Sequence, residues 1–193
     1  MYMKKYSALF ACLLAACLLC GCGGASTAPA PTPTEAPAAE TPSYTGQMRA
    51  ITFALPEGWA RKDLTNAPAS IELRLGSPEK DQALISYGCQ DIYPSVQSDE
   101  TPRSKVNLEN FDLSNATPSE GLNILQKEVV TIGKNDVFLF RYSSEKTAGI
   151  SAMLLENGYL HTISLLEYAP EIPSGHEQVF NELLQSVVLP AGE

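Results

Sequence analysis

Residues that usually carry chemistry are scarce in this sequence. Only two histidines occur in 193 residues, His161 and His176, and they do not stand at a metal-ligand spacing such as H-x-x-x-H. Residues 45–193 hold a single cysteine, Cys89, so neither an intradomain disulfide nor a C-x-x-C site is available there. There is no G-x-S-x-G elbow, no G-x-x-x-x-G-K-[ST] loop and no G-x-G-x-x-G turn, so the sequence implies no metal or cofactor. Basic residues are also few, with 13 Lys+Arg against 22 Asp+Glu. A surface of that sign repels phosphate backbones, which argues against a nucleic-acid partner.

What is present falls into three segments. Residues 1–21 read as a signal peptide. Met1-Tyr-Met-Lys-Lys5 is a short positive start, and Tyr6–Gly21 follows as an apolar or small run without charge. A membrane-spanning helix needs about 20 such residues, and this run is shorter. Leu19-Cys20-Gly21-Cys22 then resembles a bacterial lipobox. That resemblance implies diacylglyceryl transfer to the Cys22 thiol and cleavage just before it. Cys20 departs from the usual small residue at −2, and Leu14-Ala15-Ala16-Cys17 offers an alternative lipidation site at Cys17. Cys22 is preferred because it opens directly onto Gly23-Gly24. Loss of Lys4 and Lys5 with the signal leaves 11 basic residues against 22 acidic ones, a net charge of −11. With no basic amphipathic helix, membrane attachment falls to the lipid, whose chains contribute about 0.8 kcal/mol per buried methylene.

Residues 22–44 carry the lipidated cysteine and a linker of Pro, Ala, Thr and Glu with nothing to bury, which reads as a disordered spacer. At ~3.1 Å per residue its reach is about 60–70 Å, enough to hold a domain away from the outer face of the membrane.

Residues 45–193 read as one α+β domain, an antiparallel sheet with helices packed on it. Ile51-Phe53-Leu55, Ile71-Leu73-Leu75 and Ile85-Tyr87-Cys89 alternate with polar or small residues, as half-buried strands do. Gly133-Lys134-Asn135-Asp136 joins Leu122–Ile132 to Val137–Ser143 in an expected hairpin. Asn157-Gly158 is the strongest turn signal in the chain, and a two-residue turn there predicts the pairs Glu156/Tyr159, Leu154/His161 and Ala152/Ile163. Ser174-x-x-Glu177 predicts a capping box. It opens a helix with Val179, Phe180, Leu183, Leu184, Val187 and Val188 in one stripe, stopped by Pro190. A second short helix is expected within Asn107–Ser114.

Phe53-Ala54-Leu55-Pro56-Glu57-Gly58-Trp59 resembles the F-x-x-P-x-x-W opening strand of PsbP-like domains. These share their fold with a photosystem II extrinsic subunit and a Ran-binding nuclear import factor. The resemblance extends over residues 48–189 by element order, and implies that Pro56 turns the first strand and Trp59 plugs the core. It carries no catalytic residue, because the fold hosts binding and accessory roles.

Together these readings favour a non-enzymatic binding or accessory lipoprotein of the cell envelope, with an unidentified envelope protein or small ligand as partner. Two alternatives accompany it. One is an envelope hydrolase built from a scattered serine, His161 and an acid, which requires His161 to reach both partners. The other is a carrier of a small apolar ligand in a cavity lined by Phe138, Phe140 and Phe180. Both histidines and Cys89 are expected to be structural. Asp99-Glu100 and Glu171/Glu177 read as surface charges, and Tyr93, in the polar loop 90–105, as the exposed aromatic best placed for ligand contact.

Overall fold

The computed structural model describes residues 43–45, 51–79, 82–96, 101–110 and 122–190. Seven strands form one sheet: β3 (Ala60–Arg61), β4 (Ile71–Gly76), β5 (Ala83–Asp91), β6 (Asn123–Ile132), β7 (Asn135–Ser143), β8 (Ala148–Glu156) and β9 (Tyr159–Glu167). Their spatial order is β3-β4-β5-β9-β8-β7-β6, and every neighbouring pair is antiparallel. A separate two-stranded ribbon pairs β1 (Ser43–Thr45) with β2 (Thr52–Ala54).

This order follows from local turns plus one long crossing. β6 to β9 run as a meander through tight turns. At Gly133-Lys134, Gly133 takes φ +63°, and at Asn157-Gly158 both residues lie in the left-handed region, at +48° and +75°. The second geometry is that of a type I′ turn, whose twist matches the flanking strands. The resulting pairs are Glu156/Tyr159, Leu154/His161 and Ala152/Ile163, in the register expected from the turn alone.

β5 lies in the middle of the sheet and β6 at its far edge, and the described chain between them, residues 92–96 and 101–110, packs on one face. That crossing includes a single helical turn, α1 (Tyr93–Val96), and a 3-10 turn at Arg103–Lys105. After β9 the chain crosses the opposite face as α2 (Ser174–Gln185). The sheet is therefore covered on both sides, and two separate apolar cores form. Phe180, Leu183, Leu184 and Val187 pack with Phe53, Trp59, Leu75, Tyr87, Ile163 and Leu165 on the α2 side. Phe138, Phe140, Tyr142, Met153, Leu155 and Leu160 pack with Ile92 and Val106 on the crossing side. The class is α+β, but among the described residues only α2 is a helix of several turns; the described chain on the other face is mainly irregular.

Several local expectations are corrected. Ser174 is the first helical residue instead of the cap: Pro173 holds the cap position, and no side chain bonds the free N–H groups. Glu177 pairs with Arg141 on β7, so it does not reach back to close a capping box. Residues 107–110 form a turn instead of a helix, and 111–114 lie outside the described residues. Val188 leaves the stripe and is exposed, its backbone exchanging two hydrogen bonds with Thr52 (3.1 and 2.9 Å). Ser186 completes the helix end, its hydroxyl donating to the Leu183 carbonyl and accepting from Ala54 N–H at 2.9 Å.

Pro56 and Trp59 behave as the resemblance implies. Trp59 N–H donates to the Pro56 carbonyl (3.2 Å), closing a turn with Gly58 at φ +77°. The indole is buried in the α2-side core.

Candidate functional site

On the α2 side, alternation along β5 and β9 brings Tyr87, Cys89, His161 and Ile163 to one face, with Cys89 opposite His161. His161 is completely buried. Its Nδ1 lies 3.1 Å from the Tyr87 hydroxyl, and the two rings stack almost in parallel. Burial pushes the Tyr87 phenol well above its ordinary value, so it stays a neutral hydrogen-bonding group. Cys89 is 2% exposed within the same packing. The partner found for His161 is thus a core tyrosine, where the hydrolase reading needed a serine and a carboxylate.

His176, in the first turn of α2, sits over the end of β9. Its Nδ1 is 2.6 Å from Oε1 of Glu167, itself 1% exposed. The Trp59 ring meets the imidazole edge-on, with centroids 5.5 Å apart, and Glu79 lies 3.9 Å from Nε2. Burial raises the Glu167 carboxyl above its ordinary value, and the imidazole partly opposes the shift. This arrangement fastens the start of α2 to the sheet, taking the place of the missing cap.

The crossing side holds two further clusters. Arg103 makes a two-pronged contact with Asp91, Nη1 to Oδ1 at 3.1 Å and Nη2 to Oδ2 at 2.9 Å, and lies between the rings of Tyr93 and Tyr159. The Asp91 carboxylate raises the already high guanidinium pKa. Tyr93 is therefore half-buried, its hydroxyl donating to the Thr101 carbonyl (3.0 Å). It is a strut in a clamp that holds the crossing chain to the β8–β9 turn, and the exposed ligand-contact role is corrected.

The second cluster runs across the sheet. Register aligns Arg74, Ser86, Ser164, Ser151 and Phe140 in one cross-strand row. Leu73 and Leu75 face the α2-side core, so Arg74 between them faces the crossing side. Arg74, Ser86, Ser164 and Ser151 are all buried, and the hydroxyls of Ser151 and Ser164 are 2.9 Å apart. Thr162, two residues from Ser164, adds another buried hydroxyl to this face. Sequence reading missed the row because Arg74 alternates with leucines and looks like the wet side of a strand.

The expected apolar cavity is also corrected. Phe180 belongs to the α2-side core, while Phe138 and Phe140 belong to the other. The sheet itself separates them. Cys22, its alternative Cys17 and the pair Asp99-Glu100 lie outside the described residues. Glu171 is exposed. Among the described residues no group of His, Cys, Asp and Glu is arranged to hold a metal, and no helix is long and apolar enough to cross a membrane.

No protein-family model matches the chain, and no curated protein matches it in sequence. Similar folds are found among solved structures. Cyanobacterial PsbP (CyanoP) from Synechocystis aligns at TM-score 0.55 and 16% identity, over 90% of this chain and 99% of that one. A Bacteroides thetaiotaomicron protein aligns at 0.50 and 10%, over 73% and 45% of the two chains. LpqN, involved in cell envelope biogenesis of Mycobacterium tuberculosis, aligns at 0.44 and 14%, over 75% and 87%. The fold is thus PsbP-like, and at such identity the likeness concerns fold alone.

Proposed function

We propose that this chain is an extracytoplasmic lipoprotein, anchored through Cys22, whose PsbP-like domain acts as a non-enzymatic binding or accessory module of the cell envelope. The observation that carries the binding reading is the placement of the reactive side chains. His161, His176 and Cys89 are engaged with Tyr87, Glu167 and the core respectively, which favours a scaffold over a catalyst. The address rests on sequence: the Leu19–Cys22 lipobox and the Pro/Ala/Thr spacer behind it. Its partner is an envelope protein or a small ligand met within the reach of the tether.

The test is a cross-linked pull-down of the full-length protein from its own envelope, with Cys22→Ala as control. A stoichiometric partner that disappears in the control supports a tethered accessory role. Turnover of a wall or lipid substrate by the intact protein, abolished by one substitution, would replace this reading with the hydrolase.

A further inference from the structure

We propose that Arg74 and the buried hydroxyls on the same face of the sheet form a site for an oxyanion, a carboxylate or phosphate group on a small ligand. The inference rests on the binding-module reading and names the chemistry of what is bound.

Arg74 is 6% exposed, and its Nε is buried without a hydrogen-bond acceptor. Among the described residues no carboxylate pairs with it. Glu72, its neighbour on β4, instead accepts the Tyr44 hydroxyl (2.9 Å). Burying part of a guanidinium without an acceptor or counter-charge is unfavourable. A fold keeps such a group at a cost in stability, and the cost is relieved when an anion arrives.

The surroundings suit that anion. Thr162 Oγ1 is a second buried polar atom without a partner, on the same face and one row away. In the Ser151–Ser164 pair one hydroxyl donates to the other, so the accepting hydroxyl retains a proton to offer. A planar guanidinium fork and hydroxyl donors on one face are the donor set that carboxylates and phosphates take. Phe140 comes next to Ser151 in the row and belongs to the crossing-side core, so a ligand with an apolar body would meet that core beyond the hydroxyls.

The test is a thermal-shift titration of full-length protein in detergent with sodium phosphate, acetate or octanoate, against sodium chloride at matched ionic strength. Wild type should melt several degrees higher, saturably, with at least one of the three. Arg74→Met, which keeps the apolar stem, should lose that shift and, without anion, melt no lower than wild type. Thr162→Val should likewise melt no lower without anion and should weaken the shift. Octanoate acting well below the acetate concentration would assign a carboxylate with an apolar body, and phosphate alone a phosphate group. An equal shift in wild type and Arg74→Met would overturn the proposal, as would no wild-type shift with any probe. Unfolding of Arg74→Met would overturn it too, because an unpaired charge does not hold a fold together. None of these failures bears on the lipid anchor, which the Cys22→Ala control tests separately.

Discussion

If the sheet divides the domain into two cores, trimming one should leave the other untouched. Phe180 and Phe140 test this, at 0% and 1% exposure on opposite faces. Replacing a buried Phe by Ala costs about 3–5 kcal/mol. Two such changes, about 6–10 kcal/mol together, consume most of a typical reserve of about 5–15 kcal/mol, so leucine is the better probe. Phe180→Leu and Phe140→Leu remove only part of each ring's volume and should each cost about 1–2 kcal/mol. For a domain of this length that corresponds to a fall of roughly 2–8 °C in melting temperature. The decisive quantity is the coupling in the double variant, read from urea unfolding with m held constant. Side chains without shared partners add to within about 0.3–0.5 kcal/mol. A coupling above about 1 kcal/mol would mean that the two rings share packing, and would refute the separation.

Three further outcomes are expected. Burial raises the Glu167 carboxyl above its ordinary 4.5, so its contribution to stability is full below that value and lost as pH rises through the raised one; the wild-type urea midpoint should fall across that window, and Glu167→Gln should flatten it. Arg103→Ala should cost roughly 1.5–3 kcal/mol, the worth of hydrogen bonds to a charged group, and open residues 101–110 to limited proteolysis, with Arg103→Lys recovering only part because lysine lacks the two-pronged fork. Gly158→Ala should destabilise by more than the ~1 kcal/mol that a glycine replacement gains where the backbone allows it: φ is +75°, and the new Cβ would lie 2.7 Å from that of Tyr93. A midpoint unchanged by Gly158→Ala would contradict the described turn.

The parts of this fold that were legible in the sequence are those fixed by neighbours along the chain. Asn157-Gly158 sets its own register, and period-2 alternation exposes β4 and β5 without any tertiary information. What was not legible depends on which chain covers which face. The alternation of Leu73, Arg74 and Leu75 suggests a dry and a wet side, yet both sides are covered, so Arg74 is buried. Phe138 and Phe180 look alike as core residues, and only the path of the crossing chain assigns them to different cores. Ser174-x-x-Glu177 satisfies the capping pattern, but Arg141 on β7 draws Glu177 away and Pro173 takes the cap position. The His176–Glu167 contact likewise joins two elements that no local pattern connects.

The proposed tethered role depends on the lipid anchor at Cys22. The most direct measurement is metabolic labelling of the full-length chain with a clickable fatty acid, comparing wild type, Cys17→Ala and Cys22→Ala. Label on wild type and Cys17→Ala but absent from Cys22→Ala is the predicted result. Label retained in Cys22→Ala, or none on any of the three, would contradict it.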